Sequence, residues 1–151
     1  MAKIENSDFN VEMQIRAIEL LNGSLSLPAK PNKPVTNFTF NINIESRADA
    51  VNKLIFVIVH VEIKNEDHSV ILGALSVSCI FEIVNFEDVI KFDKEGKVDI
   101  PQRLIETLNI ISISTTRGVM FSTFKGTFLH GAVLPIIDPK QFQSAFPKAE
   151  H

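Results

Sequence analysis

The pair best suited to chemistry is His60 with Glu62, in the stretch KLIFVIVHVEIK at 53–64. Residues two apart on a strand project from the same face, so this carboxylate could orient the imidazole as a general base. The same spacing also describes the wet end of a strand's outer face, which is the plainer reading of an isolated pair. Cys79 is the single cysteine. It shares strand parity with Leu75, Val77 and Phe81, which marks it as a small buried hydrophobe, and one cysteine leaves no intramolecular disulfide. Gly96-Lys97 lacks the upstream glycine and the following Ser/Thr of a phosphate-binding loop. No Cys/His grouping has metal-ligand spacing. These residues call for no cofactor and point away from catalysis.

The bulk properties narrow the partner class. The formal charge is −3 and no face of clustered Lys/Arg is apparent, which argues against nucleic acid. No apolar run approaches the roughly 20 residues of a membrane-spanning helix. The opening MAKIENSDFN has no signal-peptide core, so a cytoplasmic location is expected and the N-x-S/T matches at Asn22 and Asn37 are chance. With 151 residues, 45% of them hydrophobic, the chain is expected to form one domain over 1–151 with one core. Twelve Phe stand against no Trp and no Tyr. Phe adds apolar area without a polar atom to satisfy, and suits a core or a greasy groove alike.

Four stretches carry strand periodicity. Residues 9–27 begin with Val11, Met13, Ile15 and Ala17 on one side and Glu12, Gln14 and Arg16 on the other. Asn22-Gly23 is compatible with a hairpin turn or with a bulge in one long strand. LPAKPNKP, 27–34, is a proline-stiffened surface connection. FTFNINIE, 38–45, alternates cleanly, with Phe38, Phe40, Ile42 and Ile44 on one face. KLIFVIVHVEIK comes next, then the turn NEDHS at 65–69, then VILGALSVSCIFEIV at 70–84. Four consecutive strands with short links predict an antiparallel meander. FEDVIKF, 86–92, suits a turn of helix, and Asp99 is placed to cap a helix with Pro101 in its first turn. Helical spacing then runs to about Lys125, with Leu104, Ile105, Leu108 and Ile111 on one stripe. Asp138-Pro139 opens a short terminal helix carrying Phe142 and Phe146. Strands first and helices after predict an α+β fold: a four-stranded antiparallel sheet with a long helix and a short C-terminal helix on one face.

The long helix is built in part from poor helix formers, in STTRGVMFSTFKGT at 114–127. Ile111, Thr115, Gly118 and Ser122 fall on one narrow seam, flanked by Met120, Phe121 and Phe124. Gly118 alone costs the helix about 1 kcal/mol relative to Ala. A seam of small side chains lets a second surface approach closely: the chain's own sheet, a partner subunit, or both if the helix is held between two sheets. Ile111, Thr115, Gly118, Ser122, Met120 and Phe121 are therefore the candidate oligomer interface.

The order of these parts resembles the SecB family of export chaperones over nearly the whole chain. IISISTTRGVMFSTFKGTFLHGAVLPIIDPKQF carries most of the resemblance, with MQIRAIELLNGSLSLP matching the family's first strand. The resemblance implies a homotetramer, a dimer of dimers, that holds unfolded or precursor polypeptides without ATP in apolar grooves. Carried onto this chain, the groove residues are Leu27, Pro28, Val35, Phe38, Phe40, Leu134, Pro135, Phe142 and Phe146. It also implies docking to the translocation ATPase SecA through acidic side chains on the first and fourth strands. Here those positions read Asn22, Ser26 and Ala74, which weighs against SecA. A SecB-like chaperone dedicated to one client, such as the antitoxin of a toxin–antitoxin system, is the second reading. A small-molecule-binding or enzymatic α+β domain is the third.

Overall fold

The structure, a computed structural model, describes residues 2–6, 9–27 and 37–138. Its centre is the meander of β3 (Phe38–Asp49), β4 (Leu54–Asn65) and β5 (Ile71–Ile83). Period-two placement of Ile55, Val57, Val59, Val61 and Ile63 on β4 buries all five to 1% exposure or less, because one face of the strand is covered and the other is not.

Two expectations about the sheet are corrected. The sheet has five strands, not four: β1 (Ala2–Asn6) pairs antiparallel with β2 (Phe9–Leu25), from Ala2↔Met13 to Asn6↔Phe9. AKIEN is too short for its alternation to stand out, and it becomes a strand because β2 offers it a ladder. The meander also does not include β2. The sheet order is β1-β2-β5-β4-β3, so β2 lies beside β5 and is separated from β3 by two strands. Asn22-Gly23 is not a hairpin: β2 runs straight through it, with register shifts between Ile15 and Ala17 and between Leu20 and Asn22.

Beyond the sheet, α1 (Phe86–Val89) is a single turn, and β6 (Lys91–Phe92) with β7 (Val98–Asp99) forms a two-stranded ribbon. α2 (Gln102–Thr123) is the long helix. Asp99 does not cap it. It belongs to β7, and Pro101 occupies the N-cap position, where its carbonyl accepts from the Leu104 and Ile105 amides. The terminal helix expected from Asp138-Pro139, with Phe142 and Phe146, lies outside the described residues.

α2 packs over β4 and β5. Leu104, Leu108 and Met120 are fully buried beneath it against Leu75, Val77 and Phe81, and Leu129, Ala132 and Leu134 extend this core past the helix end. Gly73 is required by that extension: a Cβ there would lie 2.5 Å from Leu129 Cδ1 and 3.0 Å from the Ser24 carbonyl oxygen. The helix's small residues have two destinations. Ser112 and Thr116 are fully buried on its underside, and Thr116 Oγ1 donates to the Ser112 carbonyl at 2.7 Å. They let the backbone sit close to the sheet above Cys79. Burial pushes the Cys79 thiol up, opposed in part by the Ser112 and Thr115 hydroxyls, so it is a protonated core residue and a poor nucleophile.

Candidate polypeptide-binding and assembly surface

Among the described residues, the helix-bearing face of the sheet is covered only over its middle. Ile15 stands opposite Phe81, Ile18 opposite Cys79, Leu20 opposite Val77 and Leu25 opposite Gly73. Opposed residues of an antiparallel pair share a face, so all four belong to the core side. Yet α2 lies over β4 and β5, and Ile15, Ile18, Leu20 and Leu25 stay 45–51% exposed. The two bulges make this row. Each inserts one residue and flips the parity of the residues after it. Ala17, expected beside Ile15, instead faces outward opposite Ile80, and Glu19, Asn22 and Ser24 share that outer face. An uninterrupted alternation would have put Glu19 on the helix side in place of Ile18 and Leu20.

The solvent side of α2 continues the apolar character. Ile110 and Phe121 are about half exposed, Gly118 and Ser122 are exposed, and Ile111 and Thr115 are half-buried. A Cβ on Gly118 would meet nothing within 4 Å, so no contact among the described residues explains the missing side chain. Met120 differs from its seam neighbours: it is fully buried under the helix, in the chain's own core. A strap at residues 127–138 then runs back along α2. His130 lies against the Phe121 ring with centroids 5.4 Å apart. Arg117 Nε donates to the Leu134 carbonyl and its Nη2 to the Pro135 carbonyl, both at 2.7 Å.

The groove residues inferred from the sequence are placed unevenly. Leu27 is fully open at the end of β2, and Pro135 is exposed on the strap. Phe38 and Phe40 are half-buried on the helix side of edge strand β3, and a Cβ on Gly131 of the strap would lie 3.9 Å from Phe38 Cε2. Leu134 is 2% exposed and anchors the strap in the core. Pro28, Val35, Phe142 and Phe146 lie outside the described residues. Sequence reasoning missed Ile18, Leu20, Ile110 and Ile136. Their hydrophobicity was visible, and so was a bulge in one long strand near Asn22, but the bulge between Ile15 and Ala17 and the width of sheet left uncovered were not.

The outer face of the sheet holds the histidine first considered for catalysis. His60 is not paired with Glu62. Its Nδ1 lies 2.7 Å from Ser76 Oγ and its Nε2 3.3 Å from Glu45 Oε2, across three strands. Arg47 donates to Glu45 Oε1 at 2.6 Å. The Arg47 guanidinium, and after it His60, hold the Glu45 carboxyl below its ordinary value. The row Ser76–His60–Glu45 has the composition of a nucleophile, a base and an orienting acid. What such a set needs besides is a pair of free amides facing the nucleophile. Ser76 sits mid-strand on β5, paired with both β2 and β4, so the surrounding amides are used by the ladder. The row is a cross-strand polar network. No group of His, Cys, Asp and Glu among the described residues is arranged to hold a metal ion. No described helix is long and apolar enough to cross a membrane.

No family model matches the sequence, and no curated protein does. Among solved structures the chain is similar to a SecB-like chaperone of Mycobacterium tuberculosis, Rv1957, in complex with a ChAD peptide from the Rv1956 HigA1 antitoxin. The TM-score is 0.51 at 14% identity, covering 82% of this chain and 83% of that one. At that identity the likeness is one of architecture, and the chain has a SecB-like α+β fold.

Proposed function

We propose that this chain is a SecB-like chaperone that holds unfolded polypeptide without nucleotide. The observation that carries the reading is the apolar surface left uncovered on one chain, from Ile15, Ile18 and Leu20 on β2 to Ile110 and Phe121 on α2. Fully burying a Leu, Ile or Phe side chain contributes about 1.5–3 kcal/mol, so each half-exposed residue still offers about 1 kcal/mol to whatever covers it. A row of such residues grips any oily segment without reading its sequence. On this reading the chain works in the cytoplasm as one domain and assembles as a homotetramer, a dimer of dimers. The seam of Ile111, Gly118, Ser122 and Phe121 is the helix face of that assembly, with Thr115 at its inner margin and its hydroxyl toward Cys79, and the space above Gly118 is where a second backbone fits. The client groove is bounded by Leu27, Phe38, Phe40 and the strap at Pro135, with Pro28, Val35, Phe142 and Phe146 as its further members.

A specific observation favours a dedicated client over general export. The similar solved structure holds a peptide from an antitoxin. In addition, Asn22 and Ser26 are exposed and Ala74 half-buried without an acidic group at any of the three, which removes the charge that SecA docking would use. The test is light scattering of an aggregating substrate, with and without this protein, in the absence of ATP; no suppression at equimolar chaperone refutes the reading. His60→Ala separates it from an enzymatic alternative. Suppression is expected to be unchanged, whereas a measured turnover abolished by that substitution, with suppression intact, would establish the enzyme instead.

A further inference from the structure

Among the described residues, the 133–137 part of the strap has few hydrogen bonds to hold it in place. Its last described backbone bond upstream is from the Ala132 amide to the Leu129 carbonyl. Pro135 has no N–H, and a residue before proline is kept extended, so Leu134-Pro135 joins neither a helix nor a sheet interior. Within 133–137 the described hydrogen bonds are the two that Arg117 donates to consecutive carbonyls, at 2.7 Å each. A planar guanidinium is well shaped for this, because one fork reaches two fixed acceptors. Leu134 is plugged into the core while Val133 and Ile136, on either side of the clamped carbonyls, are 51% and 96% exposed. Together with the His130–Phe121 contact, the clamp keeps those two apolar side chains beside the exposed face of α2.

We infer that Arg117 is a positioning residue for the polypeptide-binding surface, fixing the strap against α2 so that Val133 and Ile136 are presented to the client. This rests on the function proposed above. Full-length wild type, Arg117→Met and Arg117→Lys are compared by thermolysin cleavage ahead of Ile136 and Ile137, and by fluorescence titration with reduced, carboxymethylated α-lactalbumin. Losing both charge-assisted bonds is expected to speed strap cleavage in Arg117→Met by about tenfold or more. The probe's Kd is expected to rise by about three- to tenfold, with particle mass by light scattering unchanged. Arg117→Lys, which keeps the charge but spans one carbonyl, falls between. If Arg117→Met does not fold, the lysine variant carries the comparison alone. Wild-type cleavage rates or a wild-type Kd in the folded variants overturn the inference. A wild-type protein that binds no probe defeats the chaperone reading itself and the role of Arg117 with it, while the cleavage rates still report whether the clamp holds the strap.

Discussion

Replacing Gly118 with Leu is expected to move two measurements in opposite directions. Among the described residues a side chain at this position enters open space, since a Cβ meets nothing within 4 Å. The substitution also removes the penalty of a glycine in a helix interior, about 1 kcal/mol. Thermal or denaturant stability of the single chain should therefore rise slightly or stay level. If the seam closes on a second copy, the added isobutyl group meets a packed surface, and overpacking costs about 1–3 kcal/mol per site. A two-fold contact carries the change on both copies, which doubles the cost to about 2–6 kcal/mol. At about 1.4 kcal/mol per decade, the assembly's Kd weakens by roughly thirtyfold to ten-thousandfold. Size-exclusion chromatography with light scattering over a dilution series reads this directly, beside chemical denaturation of the same samples. A variant with undiminished particle mass, or a wild type that is monomeric throughout, refutes the use of this seam for assembly.

Leu20→Asp removes an apolar group that is half exposed on β2; the domain is expected to stay folded by circular dichroism while particle mass falls or client suppression is lost. Gly73→Ala is expected to destabilise by about 1–3 kcal/mol in denaturant titration, because the new methyl group meets Leu129 and the Ser24 carbonyl; an unchanged midpoint would show that the strap gives way freely. Glu45 is held below its ordinary value of 4.5, first by Arg47 and then by His60. A lowered carboxylate contributes stability above that value and loses it as pH falls through the folded value. Glu45→Gln should therefore flatten the decline of Tm below about pH 4.5 in part. Asp49 and Asp67, also lowered by their hydrogen-bonded turns, keep the remainder. An acid limb identical to wild type would remove Glu45 from that account.

The meander was legible because its residues follow one rule at a time. Ile55 to Ile63 alternate without a break, and the chain obeys the alternation as soon as one face is covered. The helix was legible in extent for the same reason, though its start was not: Asp99 reads as the cap until β7 claims it and Pro101 takes that position. β2 resisted because its pattern changes parity twice: Asn22-Gly23 marks the second shift, but no residue type announces the first, between Ile15 and Ala17. The catalytic-looking pair failed on a similar point. Strand parity correctly put His60 and Glu62 on one face, but His60's partners, Glu45 and Ser76, come from neighbouring strands far off in sequence.

The amino-acid order by itself fixed the long strands β2 to β5 and the long helix, since side-chain periodicity and breakers act within a few residues, whereas β1, β6 and β7 became strands through their pairing. It also fixed the chemistry on offer: apolar area in abundance, a single cysteine and no phosphate loop. Only the folded arrangement decided that β2 lies beside β5, that α2 is too narrow to cover it, and that Thr116 turns inward while Gly118 turns out. Those outcomes depend on contacts between residues distant along the chain, where the geometry of packing a cylinder on a twisted sheet outweighs any local preference.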